Sequence, residues 1–206
     1  MPKSKVILVG AGGHAASCIE IIEEENKHKI VGLIGMPHEV GNKLLGYEVI
    51  GTDENPKQLL KYTDKLILGI GQIKSPNPRI EITNKFISNG FKFLTVISPS
   101  SRISKNANIG TGTVIMQNST INAGTFIGDY SIINTGAIIE HNSKIGNFTH
   151  ISTGVILNGN TSIGNKTFIG SGTIVKEQTT IGNQCIVGMG VQVRNDLSDN
   201  SEFIGN

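Results

Sequence analysis

The second half of the sequence repeats with a period of six residues. Every sixth position from 103 to 193 carries Ile, Leu or Val without interruption. The fourth residue after each aliphatic is usually small, as at Ala107, Thr113 and Ser119, and Gly often follows the aliphatic directly. This period fits neither a 3.6-residue helix nor one continuous strand. It is typical of very short strands separated by tight corners, which is the hexapeptide signature of a parallel β-helix.

The repeat also predicts which residues are neighbours in space. Three hexads make one coil, so residues three hexads apart lie above one another at a spacing of about 5 Å. The aliphatic column fills the interior, and the small column fits the crowded corners. The repeat is long enough for about five coils.

The first half of the sequence alternates apolar runs with helical segments. Residues 6–9 are apolar, Gly10-Ala11-Gly12-Gly13-His14 follows them, and a helix is predicted over residues 15–25. A glycine-rich loop between a strand and a helix brings backbone N–H groups and the positive end of the helix dipole to one point, which suits a phosphate group. The alternative is that these glycines only form a tight turn.

The remaining segments of the first half complete an α/β pattern. Strands are predicted over residues 30–34, 47–50, 66–70 and 93–96, and helices over 56–62 and 78–89. Ligands bind beyond the carboxyl ends of parallel strands, which here lie near His14 and Gly71. Pro99 marks the junction with the repeat. We therefore predict a small α/β, Rossmann-like domain over residues 1–97 and a β-helix over residues 98–206.

A nicotinamide dinucleotide is disfavoured as the ligand. Gly10, Gly12 and Ala15 match the dinucleotide fingerprint, but that fingerprint also needs an acid at the end of the second strand. The second strand ends in Ile34-Gly35-Met36. A nucleotide without nicotinamide remains open. Arg79, which follows a loop predicted over residues 72–78, either faces a phosphate or starts a helix in solvent.

Composition excludes several functional classes. The net charge is +2 and no Lys/Arg cluster occurs, so neither nucleic acid nor a membrane surface is an expected partner. No apolar run is long enough for a signal peptide or a membrane span, so we expect a cytoplasmic protein. Zinc takes three or four protein ligands, whereas the β-helix offers only His141, His150 and Cys185, so no metal site is expected.

The most chemically suggestive position of the repeat is His141. It is predicted to lie at a corner between Glu140 and Asn142, either of which could orient the imidazole. Gly159 lies one coil above, where a glycine lets a ligand approach the backbone closely. His150 precedes the core residue Ile151 and should point outward. The alternative is that both histidines are solvated side chains without a role.

A second feature of the repeat is a pair of glycine-rich corners that stack one coil apart. A long, thin ligand could lie along this groove, or the glycines only relieve crowding at the corners. The two corners are Gly170-Ser171-Gly172 and Gly188-Met189-Gly190.

Three stretches together carry a family resemblance that covers nearly the whole chain. They are Gly10-Ala11-Gly12-Gly13-His14, then Asn134-Thr135-Gly136-Ala137-Ile138-Ile139-Glu140-His141, and Gly146-Asn147-Phe148-Thr149-His150-Ile151-Ser152. On these stretches the chain resembles the bacterial hexapeptide-repeat nucleotide-sugar acetyltransferases. These include UDP-4-amino-sugar and GDP-perosamine N-acetyltransferases and the related sialic acid O-acetyltransferases. The resemblance implies a left-handed β-helix, a homotrimer, and acetyl-CoA bound between neighbouring helices.

The resemblance also implies a role for each matching residue. His141 matches the general base, flanked by Glu140 and Asn142, and Gly159 matches a backbone donor to the thioester carbonyl. Residues matching acetyl-CoA contacts are His150, Gly159, Ser171 and Met189. Residues matching contacts to the nucleotide sugar are Gly12, Gly13, His14 and Asn134. Ile34, Gly35 and Gly71 are predicted to contact it as well, because they lie at the carboxyl ends of the predicted strands.

The sequence departs from the family pattern at three points. The residue after the catalytic histidine is usually Glu or Asp, but here it is Asn142. An amide can orient an imidazole but stabilises its positive charge less than a carboxylate does. Ile34-Gly35 stand where the family often has acids, which bears on the identity of the nucleotide. The Pro-Ala-Lys tail that usually follows the equivalent of Asn206 is not in this sequence.

These observations predict an acetyl-CoA-dependent N-acetyltransferase acting on a nucleotide-linked 4-amino-4,6-dideoxy sugar. Transfer would be direct, with His141 as the base and no acyl-enzyme, and the product would serve glycan assembly. One alternative is O-acetylation of sialic or another nonulosonic acid. An alternative of another class is a non-catalytic trimeric β-helix scaffold, which would need neither His141 nor Gly159.

Overall fold

The computed structural model describes residues 3–73 and 75–205. Lys74, in the loop predicted over residues 72–78, and Asn206 lie outside the described residues. The chain divides into two compact units. The first consists of Met1–Gly71 and Asn77–Pro99, and the second of Gln72–Pro76 and Ser100–Asn206. The short segment Gln72–Pro76 therefore belongs to the β-helix unit, although the chain on both sides of it belongs to the first unit.

The first unit is a mostly parallel sheet with helices. Its elements in chain order are β1 (Ser4–Val9), α1 (Gly13–Glu25), β2 (His28–Ile34), β3 (Lys43–Leu44), β4 (Tyr47–Gly51), β5 (Lys65–Leu68), α2 (Asn77–Ser88), β6 (Lys92–Phe93) and β7 (Val96–Ile97). Short 3-10 turns span Pro37–Glu39 and Pro56–Lys61. The strand order in the sheet is β3-β4-β2-β1-β5-β6, and only the β3–β4 pair is antiparallel.

The strand β1 lies inside the sheet, between β2 and β5, and most of its residues are buried accordingly. Its last four residues are almost fully buried, as expected of a strand covered on both faces of a parallel sheet. Helix α1 buries Cys18, Ile19 and Ile22 and is capped by Asn26, which adopts a left-handed conformation with φ of 56°. The predicted strand over residues 66–70 ends earlier, at Leu68. The predicted helix over residues 56–62 is a 3-10 turn.

The second unit is a parallel β-helix built from three sheets, each of two-residue strands. The first sheet contains Val114–Ile115, Ile132–Ile133, His150–Ile151, Phe168–Ile169, Ile186–Val187 and Glu202–Phe203. The second contains Arg102–Ile103, Thr120–Ile121, Ile138–Ile139, Ile156–Leu157, Ile174–Val175 and Gln192–Val193. The third contains Asn108–Ile109, Phe126–Ile127, Lys144–Ile145, Ser162–Ile163 and Thr180–Ile181.

The register confirms the predicted stacking of residues three hexads apart. Ile133, for example, pairs with Ile115 and with Ile151. From Ile115 to Val193 the aliphatic column is buried throughout, so the second residue of each strand fills the core and the first faces outward. The strand Glu202–Phe203 extends the first sheet beyond the predicted repeat. The arrangement is the left-handed parallel β-helix expected from the resemblance.

The small residues at the corners of the β-helix fit the limited space there, and their hydroxyl groups also form hydrogen bonds. Buried hydroxyl groups donate to glycine carbonyls about one coil further along the chain, as in Thr113 to Gly128 at 2.8 Å and Thr149 to Gly164 at 2.7 Å. Each bond gives a buried hydroxyl and a corner carbonyl a partner, which buried polar groups require. Thr and Ser at these corners therefore contribute a hydrogen-bonding oxygen as well as a small side chain.

One edge of the β-helix carries a ladder of side-chain carbonyls. At each step an Asn or Asp oxygen accepts the backbone N–H of the residue one coil below, at 2.7 or 2.8 Å. The accepting side chains are those of Asp129, Asn147, Asn165, Asn183 and Asp199. This ladder explains the Gly-Asn and Gly-Asp pairs of the sequence.

Two searches of the described residues complete the description. None of the helices within residues 3–73 and 75–205 is long and apolar enough to cross a membrane. No group of three or more His, Cys, Asp or Glu residues in this part of the chain could hold a metal ion.

Candidate active site

The first unit contains a cavity of about 540 Å³ at the carboxyl edge of its sheet. The ends of β1, β2 and β5 and the start of α1 line it, which is where a parallel sheet binds its ligands. Helix α1 begins at Gly13, so its N-terminal end and the positive end of its dipole lie at this edge. The structure brings together six residues named from the sequence, namely Gly12, Gly13, His14, Ile34, Gly35 and Gly71.

The glycines of the loop between β1 and α1 have different structural roles. Gly10 has a φ of 120°, and a Cβ there would lie 2.8 Å from the carbonyl oxygen of Gly69. Glycine at position 10 therefore allows the ends of β1 and β5 to lie close together. Gly12 and Gly13 have no such constraint, because a Cβ on either would meet nothing within 4 Å. Their missing side chains leave space at the start of α1, as a phosphate-binding loop requires.

Two acidic residues of this cavity were missed from the sequence. Glu39 and Asp53 both line it. Oε2 of Glu39 accepts the backbone N–H of Met36 at 2.7 Å, and Asp53 pairs with Lys85 at 2.7 Å. No acid follows β2 directly, but Glu39, the last residue of the 3-10 turn that follows β2, lines the cavity. The position of Asp53 just after β4 was the available signal.

Arg79 fits neither alternative that the sequence suggested, which were a residue that faces a phosphate and a solvent-exposed residue at the start of a helix. Its side chain is fully buried, and Nη1 donates to the carbonyl oxygens of Leu68, at 3.3 Å, and Ile70. Burial lowers the pKa of the guanidinium to about 9, and burial raises the pKa of the neighbouring Cys18 thiol to about 12. Arg79 therefore holds the strand end that carries Gly71 and does not face a phosphate or solvent.

His141 lies at the corner between the second and third sheets of the β-helix. Its side chain is exposed, and its Nδ1 lies 3.3 Å from Nδ2 of Asn142. Rotating that amide by half a turn exchanges nitrogen and oxygen, so Asn142 can either donate to Nδ1 or accept from it. Among the described residues the carboxylate of Glu140 pairs with Asn122, at 2.9 Å, and not with His141.

Gly159 stacks on the His141 ring. A Cβ on Gly159 would lie 2.6 Å from Nε2 of His141, closer than real side chains approach. The backbone N–H of Gly159 donates no hydrogen bond to another described residue, whereas its carbonyl accepts from Gln178 at 3.0 Å. The corner thus pairs an accessible imidazole nitrogen with an unused backbone donor. This pair can accept a proton and stabilise a nearby oxyanion.

His150 faces outward from the first sheet, as expected, but it is only 6% exposed. Its Nδ1 lies 2.5 Å from the carbonyl oxygen of Gln72, and its Nε2 lies 3.1 Å from Nδ2 of Asn134. Gln72 was not recognised from the sequence, because it lies 78 residues away and no local pattern marks it.

Ser171 and Met189 lie at the corner between the first and second sheets. The backbone N–H of Gly190 donates to the Ser171 carbonyl at 2.8 Å, which confirms that the two glycine-rich corners stack. Oγ of Ser171 lies 2.9 Å from Oγ of Ser152, two residues after His150, and Met189 is 80% exposed. These residues therefore form an open, small-residue edge beside the His150 sheet.

One copy of the chain does not bring all of these residues together. His141 and Gly159 occupy the corner between the second and third sheets, and His150 lies on the first sheet. In a three-sided coil that corner is opposite that sheet. His141 and Gly159 therefore form one group, and His150, Ser171 and Met189 form another on a different side of the β-helix.

Comparisons with known proteins agree with this geometry. Residues 5–86 match the family model described as the PglD N-terminal domain, and residues 160–195 match the bacterial transferase hexapeptide model. The comparison with curated protein sequences gives no significant match.

Several solved structures are similar along nearly the whole chain. The perosamine N-acetyltransferase PerB from Caulobacter crescentus, in complex with CoA and GDP-perosamine, is 31% identical with a TM-score of 0.90, over 98% of this chain and 94% of that chain. The acetyltransferase domain of PglB from Neisseria gonorrhoeae, in complex with acetyl coenzyme A, is 29% identical with a TM-score of 0.88, over 100% of this chain and 98% of that one. WeeI from Acinetobacter baumannii, at 16% identity and a TM-score of 0.67, shares the fold.

These matches join the two units in one family. The relative with 31% identity spans both the cavity unit and the β-helix, and both family models fall within that span. The chain therefore belongs to the hexapeptide-repeat nucleotide-sugar N-acetyltransferases, which are CoA-dependent acyltransferases.

Proposed function

We propose that this protein transfers the acetyl group of acetyl-CoA to the 4-amino group of a nucleotide-linked 4-amino-4,6-dideoxy sugar. The observation that carries the proposal is the corner where His141 stacks under Gly159. It combines an exposed imidazole with a backbone N–H that no described residue uses. The similarity to PerB, bound to CoA and GDP-perosamine, supports this substrate class.

The chemistry assigned to His141 is general base catalysis. The sugar amine attacks the carbonyl carbon of the thioester, and Nε2 of His141 accepts a proton from that nitrogen. The tetrahedral intermediate collapses, the carbon–sulfur bond breaks, and the CoA thiolate takes the proton back from the imidazolium. No acyl-enzyme forms. Nε2 must begin unprotonated, which requires the Oδ1 orientation of Asn142, so that Nδ1–H of the ring donates to the amide.

The N–H of Gly159 is proposed to stabilise the oxyanion of the tetrahedral intermediate. A free backbone donor aimed at developing charge contributes more than one that is already bonded, because it needs no reorganisation. Glu140 contributes through Asn122, to which it is bonded, and shapes the corner below His141.

The cavity of the first unit is proposed to hold the nucleotide part of the sugar donor. The open positions of Gly12 and Gly13 at the start of α1 suit the diphosphate. His14, Ile34, Gly35 and Gly71 line the space around it. Asn134 is tied to His150 by a hydrogen bond, so any contact with the sugar is made from that fixed position.

We further infer that the enzyme acts as a homotrimer, with acetyl-CoA bound between neighbouring copies. The supporting observation is the separation of the two histidines on different sides of one β-helix. If His141 and His150 serve the same acetyl group, a second copy must supply one of them. Ser171 and Met189, on the His150 side, would then line the CoA arm.

The test is release of free CoA thiol from acetyl-CoA with a panel of UDP-, dTDP- and GDP-linked 4-amino-4,6-dideoxy sugars. Each sugar is paired with its 4-hydroxy counterpart, which separates an amine acceptor from a hydroxyl acceptor. We expect release with one nucleotide series of amino sugars, and loss of about 10²–10⁴-fold in His141→Ala. No release with any amino sugar would contradict the proposal. Release with a nonulosonic acid instead would identify an O-acetyltransferase.

A further inference from the structure

His150 is held from several sides although it occupies an outward-facing strand position. It pairs in register with Ile132 below and Phe168 above. The Phe168 ring meets the imidazole edge-on, with the ring centroids 5.3 Å apart. The segment Gln72–Pro76 belongs to the same unit, and its first residue contacts the imidazole. The ring is therefore fixed by residues that are far apart in the sequence.

The hydrogen bonds around His150 agree on one protonation state. The backbone N–H of Thr135 donates to Oδ1 of Asn134 at 2.8 Å, which fixes the orientation of that amide. Nδ2 of Asn134 then faces Nε2 of His150 at 3.1 Å. An amide nitrogen can only donate, so Nε2 must be the acceptor. The ring proton therefore lies on Nδ1, where it donates to the Gln72 carbonyl at 2.5 Å.

Gln72 holds the same coil at a second point. Its side-chain Nε2 donates to the carbonyl oxygen of Phe148 at 2.9 Å, and its own carbonyl accepts from His150. Gln72 is only 3% exposed, and its bond to His150 is buried, whereas its bond to Phe148 is partly buried. Phe148 adopts a left-handed conformation with φ of 50°. Its ring stacks on that of Tyr130, with the ring centroids 4.9 Å apart. Gln72 thus binds both Phe148 and His150, which are two residues apart in the β-helix.

We propose that Gln72 and Asn134 are positioning residues that hold His150 as the neutral tautomer with its proton on Nδ1. In this state His150 anchors Gln72 on the β-helix and does not act as a base. The lone pair of Nε2 of His150 accepts a hydrogen bond from Asn134, whereas Nε2 of His141 lies at an exposed corner. This assignment rests on the proposed function, in which His150 serves the acetyl-CoA site.

The tautomer is tested directly by long-range ¹H–¹⁵N spectra of the histidine rings. The signal of His150 is assigned by its loss in His150→Asn. We expect a protonated Nδ1 and an unprotonated Nε2 in the wild-type protein. In Asn134→Asp an acceptor oxygen faces Nε2, so that nitrogen should become protonated as well. A proton on Nε2 in the wild type, or an unchanged ring in Asn134→Asp, would overturn the assignment.

The anchoring role is tested by comparing His150→Asn with His150→Ala. An asparagine nitrogen can reach the place of Nδ1 and donate to the Gln72 carbonyl, but it has no basic lone pair. We expect His150→Asn to exceed His150→Ala in kcat/KM by about tenfold, the equivalent of one buried hydrogen bond. Equal losses in the two variants would mean that the ring itself takes part in the chemistry.

The Gln72 side chain is tested by Gln72→Glu, which keeps the size but cannot donate to Phe148. We expect Gln72→Glu and Gln72→Ala each to lower kcat/KM for acetyl-CoA by about three- to tenfold, with an unchanged ring tautomer in the folded protein. Thermal unfolding confirms that each variant folds. Wild-type rates in both variants would remove Gln72 from the site. A wild-type protein inactive on every acceptor would contradict the proposed function, but the spectra would still decide the tautomer.

Discussion

Gly159 lies so close above His141 that a Cβ on the glycine would come within 2.7 Å of both Nε2 and Cε1 of the imidazole. The two residues are one coil apart, and the N–H of Asn160 donates to the His141 carbonyl at 2.9 Å. The next coil carries Glu177 at the same corner position. The corner itself therefore accepts a side chain, and the glycine is required by the imidazole below it.

We predict that Gly159→Ala displaces the imidazole and lowers kcat by about 10²-fold, because a shift of about 1 Å in a reacting group has this effect. The fold should persist, since Glu177 shows that the corner holds a larger residue. The measurement is thiol release under saturating substrates, together with thermal unfolding.

The control for this prediction is a double-mutant cycle. In the background of His141→Ala the added methyl group has no imidazole to displace, so Gly159→Ala should have little further effect. Full additivity of the two changes would show that the glycine acts independently of His141.

The separation of His141 and His150 on one β-helix leads to a prediction for mixed oligomers. His141→Ala and His150→Ala should each have low activity alone. If neighbouring copies complete the site, an equal mixture that is unfolded and refolded together restores about one quarter of the sites in a trimer. Activity is compared with that of the two variants mixed after refolding. Identical rates in both mixtures would mean that each site lies within one copy.

Arg79 is predicted to support the cavity of the first unit by holding two carbonyl groups of the strand end beyond β5. Arg79→Met leaves the Leu68 and Ile70 carbonyls without this partner, so the free energy of unfolding should fall by about 2–4 kcal/mol. KM for the nucleotide sugar should rise more than KM for acetyl-CoA.

The matched control is Arg102→Met on the exposed surface of the β-helix, where the change in unfolding free energy should stay within about 0.5 kcal/mol. Urea unfolding and initial-rate kinetics provide both measurements. Equal effects of Arg79→Met on the two KM values would argue for a general loss of structure.

The carbonyl ladder leads to a prediction about pH. Hydrogen bonds from Asn183 hold the pKa of Asp199 below its ordinary value. A carboxyl group with a lowered pKa in the folded state stabilises the protein above its unfolded pKa, and this contribution is lost as the pH falls through the lowered value.

Asp199→Asn keeps an accepting oxygen but removes the charge. The wild type should therefore be more stable than Asp199→Asn at about pH 7, and the difference should shrink as the pH falls through the lowered pKa of Asp199. Urea unfolding at several pH values measures it. A difference that does not change with pH would exclude the charge of Asp199 as its source.

Much of the second unit could be predicted from the sequence because its structure is local and repetitive. A six-residue period alone specifies short strands and corners, and the coil length then identifies vertical neighbours. This is how Gly159 was placed above His141. The strand–loop–helix of residues 10–14 was predictable for the same reason, since glycine-rich turns act over a few residues.

The tertiary structure decided which distant residues meet. Glu39 and Asp53 reach the cavity through turns that no periodic pattern describes. Arg79 is buried because its side chain reaches the carbonyls beyond β5, and a sequence does not reveal that a charged residue has backbone partners. The side of the β-helix on which each histidine lies follows from counting hexads, but Gln72 covers His150 only because a loop from elsewhere in the chain packs there. Periodicity determines structure that repeats over a few residues, whereas these contacts depend on how separate segments pack together.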